Sequence, residues 1–140
     1  MNSRTDDTRT NVFAKLVAAL FLVVGIICSA YAAIPLHIDV SSGAADACFP
    51  KGFYRVDANG KEWPVTIEYT DRPKHGTATT KVSSAIVSVR GQVKTVRLTQ
   101  VIYQSKAGYG GYDSFTFRRV TADPTDTNSG KEYTVAVTVR

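Results

Sequence analysis

The chain has 140 residues, of which 44% are hydrophobic and 21% charged, figures of an ordinary globular domain and not of a disordered or low-complexity chain. Its 17 Lys and Arg against 12 Asp and Glu give a formal net charge of +5. One domain is the default at this length, which excludes a cofactor domain joined to a substrate domain or a barrel of roughly 250 residues; two His and two Cys leave little for a metal centre or a catalytic relay.

Residues 1–15 are polar and carry Arg4, Arg9 and Lys15 against Asp6 and Asp7. Leu16 to Cys28 is an apolar run, followed by Ser29-Ala30-Tyr31-Ala32-Ala33. A basic start, an apolar stretch of about a dozen residues and a small-x-small pair predict a signal peptide over residues 1–32, cut after Ala32. The alternative is an uncleaved anchor helix. Residues 16–36 carry no charge, and a span needs about 20 residues. Lipidation at Cys28 is disfavoured by the bulky Ile26-Ile27 before it. Each version exports the segment that follows, so the folded domain is expected over residues 33–140, periplasmic or secreted, or else anchored in the inner membrane and facing out of the cytoplasm. Loss of residues 1–32 removes three bases and two acids, leaving 14 and 10. These bases are scattered in runs of at most two, which suits a soluble basic surface; export argues against a nucleic-acid partner. Cys48 then stands as the one thiol of the exported part and has no partner for an internal disulfide. Its neighbours Ala47, Phe49 and Pro50 predict burial as a small hydrophobe.

Beyond residue 33 the dominant pattern is alternation with period two, which places every second side chain on one sheet face. Leu36–Val40 alternates over five residues. Gly52–Val56 reads as a strand entering a turn at Asp57-Ala-Asn-Gly60, where Asn-Gly tolerates positive φ. Trp63–Tyr69 alternates with Trp63, Val65, Ile67 and Tyr69 inward. Thr77–Thr80 and Ala85–Val89 are β-rich in composition. Val96 and Leu98 share one face, and Val101 and Tyr103 follow in the opposite phase, which predicts a bulge or a sheet switch near Thr99–Gln100. Phe115-Thr116-Phe117 is short and clear. Thr121–Gly130 is the most polar stretch and reads as a solvated loop joining it to Tyr133–Val139, the best strand of all. No helical stripe follows residue 33. Short strands separated by turn signals predict an all-β, antiparallel β-sandwich of about seven strands. Either Leu36–Val40 or the C-terminal strand is a candidate exposed edge.

Three motifs stand in order. Pro73-Lys-His75-Gly76-Thr77 is a turn before a strand. Tyr103 through Gly108-Tyr109-Gly-Gly111-Tyr112-Asp113-Ser-Phe115-Thr-Phe117 is a tyrosine-ended strand, a Gly-aromatic loop and a second strand. Val135, Val137 and Val139 form a final strand. Together they resemble the Pro-x-His-Gly-Thr turn, the Gly-x-Asp-Ser-Phe element and the last strand of bacterial immunoglobulin-like and cadherin-like repeat domains, over roughly residues 63–139. The resemblance implies an immunoglobulin-like sandwich in single copy. The thirty residues from Pro73 to Tyr103 imply a longer hairpin than such domains usually carry, and the calcium motifs of true cadherins are not visible.

The residues of these motifs read as scaffold. Gly108 and Gly111 permit a tight loop, Asp113 is placed to accept hydrogen bonds from loop amides, and Phe115 and Phe117 share a face. Tyr103, Tyr109 and Tyr112 are the candidate binding residues of the loop, with His75, Gly76, Gly108, Gly111, Asp113, Phe115 and Phe117 as structural motif. No catalytic set is expected. His37 and His75 lie far apart with no ligand at short spacing, Asp123, Asp126 and Asn128 fail the spacing of a calcium loop, and no nucleophile elbow or phosphate loop is present. Neither a cofactor nor a metal is therefore expected. The export segment and the resemblance together imply a non-catalytic binding or structural module of the bacterial cell envelope, engaging a protein or polysaccharide. A small exported inhibitor or accessory subunit of an envelope enzyme is the alternative. Membrane contact is expected only if residues 16–36 stay uncleaved.

Overall fold

A computed structural model describes residues 32–49 and 51–140, so the predicted export segment, save Ala32, lies outside the described residues. Among those described there is no helix, and none long and apolar enough to cross a membrane. The elements are β1 (Ile34–Val40), β2 (Ala45–Ala47), β3 (Arg55–Val56), β4 (Glu62–Trp63), β5 (Val65–Asp71), β6 (Gly76–Val89), β7 (Gln92–Ser105), β8 (Gly111–Thr121) and β9 (Glu132–Val139). They form a four-stranded sheet in the order β1-β9-β8-β5, a three-stranded sheet in the order β2-β7-β6, and a small β3-β4 pair. The architecture is all-β and sandwich-like, with nine strands where about seven were expected. The extra count comes from short pieces. Gly52–Val56 is cut down to β3 and a single bridge from Phe53 to Thr99. The run from Trp63 to Tyr69 is cut at Pro64, which has no N–H to donate: Trp63 pairs with Arg55, and Val65 onward pairs with β8.

The alternation read from β8 and β9 builds the core. Phe115, Phe117 and Val135 are fully buried and Val137 nearly so. Phe117 stacks on Tyr133 at 5.2 Å and Tyr103 on Phe115 at 5.9 Å, while Phe53 meets Phe117 edge-on at 5.9 Å. Val101 and Tyr103 close this layer from the second sheet, both fully buried. Burying such side chains contributes about 1.5–3 kcal/mol each. Of the two candidate edges, the C-terminal strand is interior: β9 lies between β1, with which it runs parallel, and β8, with which it runs antiparallel. The Leu36–Val40 strand does lie at an edge.

Thr77–Thr80 and Ala85–Val89 are parts of one strand, and β6 and β7 form a hairpin of 14 residues on each side. Its two-residue turn is Arg90-Gly91, both at positive φ (52° and 78°), the conformation that matches strand twist. The bulge or switch expected near Thr99–Gln100 is absent: pairing runs unbroken from Gly76 opposite Ser105 to Val89 opposite Gln92. The phase change has another cause. Near the base, Val101, Tyr103 and Ser105 are buried on the side facing the four-stranded sheet. Farther out, Val96 and Leu98 are buried on the opposite side, and the β3-β4 pair lies beside this stretch of β7. That pair is tied down by Arg97 N–H donating to Glu62 Oε1 (2.6 Å), Arg90 Nη1 to the Ala58 carbonyl (2.7 Å) and Lys94 Nζ to the Gly60 carbonyl. One straight ribbon thus buries different faces along its length.

Candidate functional site

Two of the three motifs meet at one carboxylate, and the third, in β9, pairs with β8 beside it. Asp113, at the start of β8, is buried. Its Oδ1 accepts from the backbone N–H of Lys74 (3.0 Å) and of Ser114 (2.9 Å). Its Oδ2 accepts from the N–H of His75 (2.8 Å) and from the hydroxyl of Tyr103 (2.9 Å). The turn after β5, the end of β7 and the start of β8 are pinned together by a single side chain. Burial alone would raise its carboxyl, but the amides of Lys74, His75 and Ser114 and the Tyr103 hydroxyl outweigh it and hold Asp113 below the usual carboxylate range. Burial, and next the hydrogen bond to Asp113, push the Tyr103 hydroxyl the other way, well above its ordinary value.

Gly76 is required by the same cluster. A Cβ there would stand 2.4 Å from the Gln104 carbonyl oxygen and 2.5 Å from the Tyr103 ring. Tyr109 stacks flat on His75 with ring centroids 4.1 Å apart, and its hydroxyl donates to the Tyr112 carbonyl at 2.7 Å, folding the loop over the turn. Gly111 lies at φ 136° under the Tyr109 hydroxyl, and Gly108 at φ 79°.

The candidate binding tyrosines therefore separate. Tyr103 is a correction: it is fully buried and spends its hydroxyl on Asp113, so it offers nothing to a ligand. Tyr109 is half-buried and committed to His75. Tyr112 alone is open, at 80% exposure. Phe115 and Phe117 are core.

The polar loop before β9 is also corrected, from a solvated turn to a buried clamp. Asp123 and Asp126 are both buried. Arg55 Nε donates to Asp123 at 2.6 Å; Arg119 Nη1 and the Thr121 hydroxyl donate to Asp126 at 2.7 and 2.8 Å. Thr125 and Asn128 amides complete the two carboxylates. Guanidinium groups occupy the positions a cation would need, and among the described residues no group of three or more candidate metal ligands occurs. Burial works against ionisation of both carboxyls, yet these donors keep each below its ordinary value. The local sequence around Asp123 and Asp126 carries no sign of Arg55, whose approach depends on tertiary pairing. Cys48 is buried, and desolvation followed by the nearby Asp46 charge pushes its thiol up to about 12, so it stays protonated and unreactive.

The open surface lies elsewhere. Along the outer half of the hairpin Val82, Ile86 and Val93 are 58%, 75% and 79% exposed. In register Val82 faces Thr99, Ile86 faces Thr95 and Ser88 faces Val93, so all three apolar side chains share one side of the ribbon. It is the side that nearer the base carries Val101 and Tyr103 into the core. Beside it, a groove of about 460 Å³ along β6 is lined by Ala85, Ile86, Val87 and Ser88 together with Lys51, Tyr54 and Leu98. In comparisons with known proteins, no family model, no curated protein and no solved structure matches this chain.

Proposed function

We propose that the chain is an exported, non-catalytic immunoglobulin-like module of the bacterial cell envelope that binds a protein partner through its long hairpin. The reading of the fold is supported by strand grouping. With β2, β5, β6, β7, β8 and β9 taken as B to G, one sheet holds B, E and D and the other C, F and G, as in immunoglobulin-like sandwiches. The resemblance of the Pro73–Thr77, Tyr103–Phe117 and Val135–Val139 motifs points the same way, and the hydrogen bonds joining the first two at Asp113 give them a common scaffold role. Export is carried by the residue 1–32 pattern.

The observation that carries the binding role is the outer half of the hairpin, where three aliphatic side chains share an uncovered face. Aliphatic residues clustered on an exposed face mark interaction surfaces more often than single exposed ones do. The test is capture by the tagged protein from its native envelope, read by mass spectrometry of bait and companions, against a Val82→Thr/Ile86→Thr/Val93→Thr variant. A reproducible companion lost in the variant is the expected result. A companion set unchanged by the variant, or none at all, would overturn the reading. A bait beginning at Ala33 would support cleavage of the export segment.

A further inference from the structure

We infer that the outer edge of β6 between Thr80 and Ser88 takes up an extended acidic segment of a partner protein as an added β-strand. This rests on the binding-module reading above and names how and what the hairpin binds.

The edge is open by geometry. Across a two-residue turn the flanking residues, Val89 and Gln92, exchange both backbone hydrogen bonds. Counting back from Val89, the odd-numbered residues of β6 turn their N–H and C=O toward β7, and the even-numbered ones turn theirs outward. Ala78 fits this phase, since its carbonyl accepts from Arg72 Nη1 at 3.0 Å and that end of the edge is capped by the protein itself. From Thr80 to Ser88 no strand and no backbone hydrogen bond meets the outward backbone groups among the described residues. The strand carries no proline and one charge, Lys81, so it has few of the devices that keep an edge unpaired.

Charge selects the occupant. From Arg72 to Tyr112 the chain holds seven bases (Arg72, Lys74, Lys81, Arg90, Lys94, Arg97 and Lys106) and no acid. Among the described residues, only Arg97 of these meets a carboxylate, Glu62 at 3.8 Å. A second copy would lay two such segments side by side and be repelled; an acidic strand is attracted. The two faces beside the edge set the pattern of that strand. Val82 and Ile86 receive apolar side chains on one face, while Lys81 on the other and Lys51 in the groove meet carboxylates. The main-chain ladder supplies affinity and the alternation supplies selectivity.

The test is fluorescence anisotropy with the full chain and a labelled decapeptide of alternating Val and Glu, at physiological salt. Three changes probe the edge. They are a peptide with Lys in place of Glu, a peptide N-methylated on alternate amides, and the variant Ser84→Pro, which removes an outward N–H without costing a β6-β7 bond. Lys81→Glu is a second variant that leaves the backbone alone. Saturable binding of the Val-Glu peptide, weakened at least about tenfold by each change, is the expected result. No saturable binding overturns the inference, as does equal affinity for the N-methylated peptide or for Ser84→Pro, which would mean charge attraction alone. Binding to phosphatidylglycerol vesicles that competes with the peptide and survives Ser84→Pro would assign the hairpin to a membrane surface instead. Peptide-free dimerisation relieved by Ser84→Pro would assign the edge to a second copy. If the peptide fails while the triple Thr variant still loses an envelope companion, the strand-addition inference falls and the binding-module reading stands; if both fail, both fall.

Discussion

The two halves of the β6-β7 hairpin share strands, register and composition, yet they behave as different materials. At the base, Ala78, Val101 and Tyr103 face the four-stranded sheet, and Asp113 gathers four donors around the ribbon. In the outer half the same side of the ribbon meets solvent, with Val82, Ile86 and Val93 uncovered. A strand's pairing does not decide whether it is core or surface. What stands above each face decides it, and the four-stranded sheet ends where β6 and β7 continue.

Changes at the base should be felt most. Asp113→Ala strands three amides and a buried hydroxyl, and is expected to cost about 3 kcal/mol or more in urea unfolding. Gly76→Ala drives a methyl group against the Gln104 carbonyl and the Tyr103 ring, and should cost about 2 kcal/mol. Tyr103→Phe removes one donor and keeps the packing, for about 1 kcal/mol. The outer half should respond least: Ile86→Thr or Val93→Thr is expected to stay within about 0.5 kcal/mol of the parent. A loss at Ile86 comparable with that at Gly76 would break the contrast. Hydrogen exchange should resolve it within one strand, with the inward amides of Ala85 and Val87 opening at lower free energy than those near Gly76.

The acid response should also originate at the buried carboxylates. Asp113 and Asp126 have folded pKa values below their unfolded ones, so their contribution is fully present above the unfolded value, about 4. It is lost as pH falls through the lower folded values. Urea midpoints are expected to hold from neutral pH to about 4.5 and to drop below it, and the drop should be shallower in Asp113→Asn. A midpoint that declines already between pH 7 and 5 would point to other groups.

Much of this arrangement was legible in local pattern. Period-two alternation located β8 and β9 and their buried faces, and the thirty residues from Pro73 to Tyr103 foretold a long hairpin. Asp113 was legible as an acceptor of loop amides, although its donors at Lys74 and His75 lie in another turn. The phase change between Leu98 and Val101 was visible as well, but alternation reports only which face is buried; it does not say what buries it, so a change of cover was taken for a change of register. The Asp123 and Asp126 clamp was hidden for a related reason. Its composition is that of a turn, and although Arg119 stands on the strand just before it, the second counter-ion, Arg55, arrives from a strand that sequence spacing does not bring near. Tyr103 ends a strand just before the Gly-aromatic loop, which made it a candidate of that loop, whereas its position in β7 turns it inside.

The parallel pairing of β1 with β9 carries a consequence for the order of events during synthesis. Ile34 lies opposite Tyr133, about a hundred residues later in the chain, and in its sheet β1 has no other neighbour. A nascent chain can close the β6-β7 hairpin as soon as its tip has emerged, because those contacts are local. The first strand must wait for nearly the whole chain, its apolar side chains uncovered in the meantime. The interval between delivery of β1 and delivery of β9 is therefore the period in which this protein is open to wrong partners, and its length is set by the rate at which the chain is delivered and not by the stability of the finished fold.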